Sequence, residues 1–170
     1  MTHRYVLSIL VENHSGVLRR VSSLFARRGY NIESLSVGVT QDPELSRITV
    51  AVKGDEYIID QIKKQVFKLV EVRKIELLDD DEAVYRELML IYIKVKSTKS
   101  TRAEVLEIAN IFRAHIIDVS VSALVLEATG DSKKLNALIK LLEPFTVLEI
   151  VRTGLAAVKR GPECLKETKK

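Results

Sequence analysis

The sequence predicts an α+β protein made of two ferredoxin-like domains, each with the element order βαββαβ and an antiparallel sheet. The 170 residues are enough for two small domains, and a content of 46% hydrophobic and 29% charged residues is typical of folded proteins. Segments with strand and helix periodicity follow one another in the same order in both halves. A local echo between residues 31–37 (Asn-Ile-Glu-Ser-Leu-Ser-Val) and residues 115–121 (His-Ile-Ile-Asp-Val-Ser-Val) also favours a duplication.

The first half, residues 1–78, contains six predicted elements. The opening strand is rich in β-branched and other apolar residues. The next segment has apolar residues at i, i+4, i+7 and i+8, which predicts a helix with Ser15 placed to cap it and Gly29 to end it. Two alternating strands, a second amphipathic helix and a closing strand complete the domain. The predicted strands are 5–11, 32–40, 47–53 and 70–78, and the predicted helices are 16–28 and 55–69.

The second half repeats this order after an acidic segment, residues 79–84, which we interpret as a linker. Its carboxylates are of the type that holds a hard cation, but a solvated linker is the more common role of such a segment. Residues 85–155 are assigned to the second domain and residues 156–170 to a basic, solvated tail. The predicted strands are 86–95, 116–121, 124–128 and 145–152, and the predicted helices are 101–114 and 131–143.

The first strand also predicts self-association. In this topology both helices cover one face of the sheet, and domains of this size are marginal alone. The strand is nevertheless apolar on both faces, with Leu7 and Ile9 on one and Val6 and Leu10 on the other. Pairing of two chains through their sheets would cover the second face. We therefore expect at least a dimer, and a monomeric mass in light scattering at micromolar concentration would contradict this.

Composition and motifs exclude several classes of protein. A single cysteine, Cys164, excludes an internal disulfide framework and fits a reducing cytoplasm. No uncharged apolar run approaches the ~20 residues of a membrane helix, and the opening strand lacks a signal-peptide cleavage site. The three histidines are dispersed, and no phosphate-binding glycine loop or metal-ligand spacing occurs. A self-contained enzyme is therefore not expected.

The segment that joins the first strand to the first helix, residues 12–18, is the first candidate binding site. The backbone N–H groups of Gly16, Val17 and Leu18 open the helix, where an anion can bind. Gly16 leaves room for close approach, and the Asn13 side chain offers both a donor and an acceptor to a zwitterion. By spacing alone, an ordinary turn with a helix cap explains the same residues.

A second candidate is Gly29-Tyr30-Asn31, which ends the first helix and begins the next strand. Asn31 would lie near the sheet edge, where a partner chain can meet it. A left-handed helix cap followed by the start of a strand also explains this segment without any ligand.

Both candidates belong to a longer pattern. Residues 11–18 (Val-Glu-Asn-His-Ser-Gly-Val-Leu), followed by Arg20-Val21, Leu24-Phe25 and residues 28–35, closely resemble the amino-terminal ACT domain of the regulatory (small) subunit of acetolactate synthase, also called acetohydroxyacid synthase. The resemblance covers nearly the whole chain and is specific because of its combination of motifs. It continues at residues 42–43, 46–47, 61, 68–70, 86–90, 112–113, 116–119 and 149–154.

The resemblance implies a regulatory role. Small subunits of this family bind and activate the large, thiamine-diphosphate-dependent catalytic subunit of branched-chain amino acid biosynthesis, and they confer feedback inhibition by valine. In such proteins valine lies where two ACT domains meet. Carried over by motif, Asn13, Gly16 and the amides of Val17 and Leu18 would hold the polar end of valine, and Asn31 would come from the neighbouring chain.

The same resemblance implies that this chain binds no cofactor, and that thiamine diphosphate, Mg²⁺ and FAD belong to the catalytic partner. It implies a homodimer formed through the ACT domains, with no nucleic acid or membrane as partner. Two alternatives remain at this stage. One is a free-standing ACT-type amino acid sensor, and the other is an RNA-binding module, which shares the βαββαβ order and suits a pI of 9.1. The predicted strand 47–53 lacks the aromatic residues on which RNA bases stack.

Overall fold

The computed structural model describes residues 3–95 and 99–162, so Cys164 lies outside the described residues. Residues 3–84 and 155–162 form one compact unit, and residues 85–95 and 99–154 form a second. Each unit has one antiparallel sheet and two helices in the order βαββαβ, which confirms the predicted fold class.

The first unit has the strand order β2-β3-β1-β4, and every neighbouring pair is antiparallel. Both helices lie on one face of this sheet, where apolar side chains of β1, β3, α1 and α2 form the core. Fully buried members include Leu7, Phe25 and Ile62. The elements are β1 (His3–Glu12), α1 (Val17–Arg27), β2 (Ile32–Val39), β3 (Leu45–Gly54), α2 (Glu56–Val66) and β4 (Val72–Leu78).

The prediction that Ser15 caps α1 is wrong. The residue before the helix is Gly16, with a φ of 91°, and no side chain caps this helix end. A side-chain cap requires extended backbone at the residue that precedes the helix, and left-handed Gly16 does not supply it. Helix α2 shows the usual arrangement, because the Asp55 carboxylate accepts a hydrogen bond from the Ile58 N–H at 2.8 Å.

The prediction that Gly29 ends α1 is confirmed. Gly29 has a φ of 70°, and its N–H donates to the carbonyl of Ala26 at 3.1 Å. The next N–H, of Tyr30, donates to the carbonyl of Phe25 at 3.0 Å. These two bonds are the Schellman pattern, in which a left-handed residue reverses the chain after a helix.

The face of the first sheet opposite the helices is already buried within one chain. Val6 and Leu10 of β1 are at most 5% exposed on this face. Residues 155–157 lie against it, since Leu155 and Ala157 are buried and the Leu155 N–H donates to the hydroxyl of Ser34 at 3.1 Å. The two-sided apolar pattern of β1 therefore does not require a second copy, which corrects the reasoning from sequence on this point.

Part of the predicted basic tail is a strand, β9 (Ala156–Lys159). The N–H of Arg160 donates to the carbonyl of Glu82 at 2.7 Å, and its Nε donates to the carbonyl of Ala83 at 3.2 Å. This segment is therefore tied to the first unit by hydrogen bonds and by the buried Ala157, although most of its described residues are exposed.

The second unit repeats the topology of the first, with the strand order β6-β7-β5-β8 along its sheet. Its core contains apolar residues of β5, β7 and both helices, with Met89, Leu126 and Leu138 fully buried. The elements are β5 (Ala83–Lys94), α3 (Lys99–Ile111), β6 (His115–Val119), β7 (Ala123–Gly130), α4 (Ser132–Leu142) and β8 (Thr146–Arg152).

A partly buried ion pair joins the first and last strands of the second unit. Arg152 of β8 donates from Nε and Nη2 to the two carboxylate oxygens of Glu87, at 3.0 and 2.5 Å. The Arg152 Nη1 also donates to the side-chain oxygen of Asn136 in α4, at 3.0 Å. The buried Glu87 carboxylate is thus paired with a guanidinium in the two-bond geometry that such pairs favour.

Candidate functional site

The entry of α1 is an open helix N-terminus. The first helical hydrogen bond runs from the N–H of Arg20 to the carbonyl of Gly16, at 3.0 Å. Within the described residues, the N–H groups of Gly16, Val17 and Leu18 have no hydrogen-bond acceptor. A Cβ added to Gly16 would meet no atom within 4 Å, so the backbone is open to solvent here. Such a terminus offers several aligned donors to an anion.

Asn13 fixes this turn to the loop between β2 and β3. Its side-chain Nδ2 donates to the carbonyl of Pro43 at 2.8 Å, and its Oδ1 accepts from the hydroxyl of Ser46 at 2.9 Å. Its backbone N–H donates to the carbonyl of Glu44 at 2.7 Å. The side-chain amide retains one free N–H and one free lone pair, so direct contact with a ligand remains chemically available.

A surface depression of about 300 Å³ lies beside Asn13. Three carboxylates line it, from Glu12, Asp42 and Glu44, together with the Arg73 guanidinium and the His14 ring. Carboxylates favour a nearby cation, whereas the helix entry three residues beyond Asn13 favours an anion. The depression on one side of this turn therefore favours a cation, and the helix entry on the other side favours an anion.

His14 lies in a row of charged groups at the end of β1. Its Nε2 is 3.0 Å from a carboxylate oxygen of Glu12, and its Nδ1 is 3.1 Å from the carbonyl oxygen of Ser15. The other Glu12 oxygen accepts from Arg73 Nη2 at 2.5 Å. The Ser15 carbonyl and the Glu12 carboxylate raise the pKa of His14 above its usual value.

Asn31 does not meet the other candidate residues within one chain. It follows α1, whose 11 residues span about 16 Å at 1.5 Å per residue, so it lies a helix length away from Gly16. It is exposed, and its side chain makes no hydrogen bond within the described residues. A site that uses both Asn13 and Asn31 therefore needs a second copy of the chain, and the assignment of these residues stays a prediction.

The side chains of Val17 and Leu18 differ in burial. Val17 belongs to the core, so only its backbone faces the turn. The Leu18 side chain is 42% exposed and offers apolar surface beside the open N–H groups. An aliphatic ligand with an anionic end would match this pairing of apolar and donor groups.

Sequence reasoning missed the partners that hold this turn in place. Ser46 contacts Asn13 because β1 and β3 pair with Val11 opposite Ser46. The Glu12–His14 contact could have been proposed from the sequence, because it joins residues only two apart in the chain. The contact of Arg73 with Glu12 depends on where β4 pairs, which local periodicity does not give.

Neither a metal centre nor a membrane segment was found in residues 3–95 and 99–162. No three His, Cys, Asp or Glu side chains in these ranges are placed to share a metal ion. None of the helices there has the length and apolar character needed to cross a bilayer.

Two protein families match the two halves of the chain. Residues 7–74 match the family described as the AHAS small subunit-like ACT domain, where AHAS is acetohydroxyacid synthase. Residues 86–161 match the family described as the small subunit of acetolactate synthase. The two matches together include the candidate turn, Asn31 and nearly all of both units.

Relatives with this name are similar over almost their full length. The chain is 47% identical over 161 residues to the acetolactate synthase small subunit of Mycolicibacterium smegmatis, covering 95% of this chain and 94% of the relative. It is 43% identical over 157 residues to the probable small subunit of Methanothermobacter thermautotrophicus, covering 92% and 93%. The crystal structure of the Thermotoga maritima small subunit superposes with a TM-score of 0.85 at 43% identity, over 95% of this chain and 99% of that one.

Proposed function

The chain belongs to the small-subunit family of acetolactate synthase, and from this membership we propose that it binds and activates the catalytic large subunit and makes it sensitive to valine. The pathway would be the biosynthesis of the branched-chain amino acids. The observation that carries the valine part is the uncapped entry of α1 beside Asn13.

The turn suits the two charged ends of an amino acid. The open N–H groups of Gly16, Val17 and Leu18 would hold the carboxylate, an interaction of about 0.3–1 kcal/mol when exposed and up to ~2 kcal/mol when partly buried. The acidic depression on the other side of Asn13 would favour the ammonium group. The exposed Leu18 side chain supports an aliphatic effector such as valine.

A homodimer formed through the first units would complete the site. Strand β2 lies at an edge of its sheet, and its Val37 and Val39 side chains are 44% and 61% exposed. An apolar edge strand pairs readily with a second chain. Asn31 directly precedes β2, so pairing at this edge would bring Asn31 of the partner subunit into the interface.

Regulation would follow from linkage between the two kinds of binding. Valine held by two chains favours one arrangement of the dimer, and the catalytic subunit would favour the arrangements differently. Such coupling is typically about 1–3 kcal/mol, or 5–150-fold in affinity, and acts reciprocally on both binding steps. The chain itself would carry no cofactor, with thiamine diphosphate, Mg²⁺ and FAD on the large subunit. A cytoplasmic location is also proposed, supported by the single cysteine.

Reconstitution with the large subunit from the same organism tests this proposal. Adding the purified chain should raise acetolactate formation, and valine should lower it again in the complex. Absence of any rise would remove the proposed function. Valine binding without an effect on turnover would instead favour the free-standing sensor.

Mixing two variants tests whether two chains share each site. Asn13→Ala and Asn31→Ala should each lose valine binding alone, with the fold checked by circular dichroism. A mixed dimer has one site with both asparagines intact, so an equimolar mixture should regain about a quarter of the wild-type sites in calorimetry. A mixture that regains none would contradict a site formed by Asn13 of one chain and Asn31 of its partner.

A further inference from the structure

The His14 ring lies between two hydrogen-bond acceptors. Its Nδ1 is 3.1 Å from the Ser15 carbonyl oxygen, and its Nε2 is 3.0 Å from a Glu12 carboxylate oxygen. A neutral imidazole has a single N–H and can donate to only one of them. The imidazolium has two N–H groups and satisfies both acceptors at once. Both hydrogen bonds of the His14 ring therefore form only when the ring is protonated.

The two acceptors belong to different parts of the candidate site. Glu12 ends β1 and is itself held by Arg73 of β4, whose Nη2 is 2.5 Å from the second carboxylate oxygen. Ser15 directly precedes Gly16, where the open N–H groups of α1 begin. A protonated His14 thus connects the rigid sheet to the backbone that presents those donors.

The other charged groups around His14 come from three further elements. Glu71, which precedes β4, also favours the protonated ring and is itself paired with Arg20 of α1. Asp42 and Glu44 of the loop between β2 and β3 line the same depression as His14. Carboxylates therefore outnumber the guanidinium groups of Arg20 and Arg73 here, which favours the imidazolium.

We propose that His14 is a positioning residue for the effector site, and that its protonated ring holds the α1 entry in the geometry that binds a carboxylate. This inference rests on the proposed valine function. Holding the entry in this geometry strengthens effector binding when His14 is protonated, and binding weakens when the proton leaves.

The direction in which valine affinity changes with pH follows from the raised pKa of His14. Ser15 and Glu12 raise the pKa of His14. Both hydrogen bonds of the ring are therefore present below the ordinary histidine pKa, and one of them is lost as the pH rises through the raised pKa. A free amino acid stays zwitterionic over this range, so its own charges do not change. Valine should dissociate about 2–5-fold more readily at about pH 8 than at about pH 6.

Calorimetric titration of the full-length chain with L-valine at both pH values tests this inference. His14→Gln should bind valine with a nearly constant dissociation constant, close to that of the wild type at the higher pH. His115→Gln, which changes an exposed histidine of the second unit, is the matched control and should keep the wild-type pH dependence. In NMR, saturating valine should raise the His14 titration midpoint by about 0.3–0.7 pH unit, the reciprocal of the 2–5-fold effect.

The outcomes separate the two proposals. If His14→Gln keeps the wild-type pH dependence, or if valine leaves the His14 midpoint unchanged, the role of His14 is overturned while the valine site stands. If the wild-type chain binds no valine at either pH, the proposed function fails, and the inference about His14 fails with it.

Discussion

Helices α1 and α4 begin in contrasting ways. At the entry of α4, the Asp131 carboxylate accepts a hydrogen bond from the Lys134 N–H at 2.7 Å, so the chain supplies its own anion. At the entry of α1, Gly16 stands in the equivalent place, and no side chain caps the helix. Asp55 caps α2 as Asp131 caps α4.

The capped and uncapped helix entries therefore differ in whether their N–H groups stabilise the fold or stay available for a ligand. A glycine in place of a capping side chain costs a helix only a few tenths of a kcal/mol. In return, the donors at the entry of α1 stay available to an anion from outside. The capped entries serve the fold, whereas the open one is suited to a ligand.

The largest expected effect comes from placing a negative charge at the open entry. Gly16→Asp adds a negative charge next to the N–H groups of residues 16–18, where it would repel the carboxylate of valine. A Cβ at Gly16 meets no atom within 4 Å, and although the φ of 91° strains any side chain, Asp and Asn tolerate a positive φ better than most residues. Valine affinity, measured by calorimetry, should fall about 10–30-fold, or ~1.4–2 kcal/mol.

Gly16→Asn is the matched control for that variant. It has nearly the same shape and the same backbone requirement but no charge, so the loss of affinity should be clearly smaller. An equal loss in both variants would assign the effect to the left-handed backbone at this position. It would then break the distinction between an open and a capped helix entry.

The order of the elements could be predicted from the sequence because it depends on local periodicity. The i, i+4, i+7 and i+8 pattern of α1 is visible in single residues such as Val17 and Phe25, which the structure places in the core. Gly29 was predictable for a similar reason, since a left-handed residue after a helix favours glycine. The mistake at Ser15 arose because a cap depends on one backbone conformation, which composition does not determine.

The surroundings of the candidate turn were less predictable because they depend on contacts between distant segments. Asn13 meets Pro43 and Ser46 only through the register of β1 with β3. The strand β9 was hidden by the basic residues around it, which are typical of a solvated tail. The sequence therefore identified the turn but not the groups that hold it.

The second unit shows how much the same topology varies at an equivalent position. Arg113 follows α3 with a φ of 52°, the one non-glycine residue with positive φ in residues 3–95 and 99–162. It occupies the place that Gly29 has after α1, and Ala114 donates to the carbonyl of Ala109 at 2.8 Å as Tyr30 does to Phe25. The fold thus preserves this turn even where the residue is unfavourable, which indicates that topology and not residue type maintains it.

The smaller expected effect comes from opening a capped entry. Asp131→Ala removes the acceptor of the Lys134 N–H and should destabilise the chain by about 1 kcal/mol, lowering Tm by about 4–8 °C for a unit of this size. Asp131→Asn is the control, because asparagine caps as well as aspartate, and its Tm should stay near that of the wild type. Valine affinity should be unchanged in both variants at a temperature where the chain is folded. If Asp131→Ala weakened valine binding as strongly as Gly16→Asp, general destabilisation would explain both results. The assignment of the α1 entry as the valine site would then be contradicted.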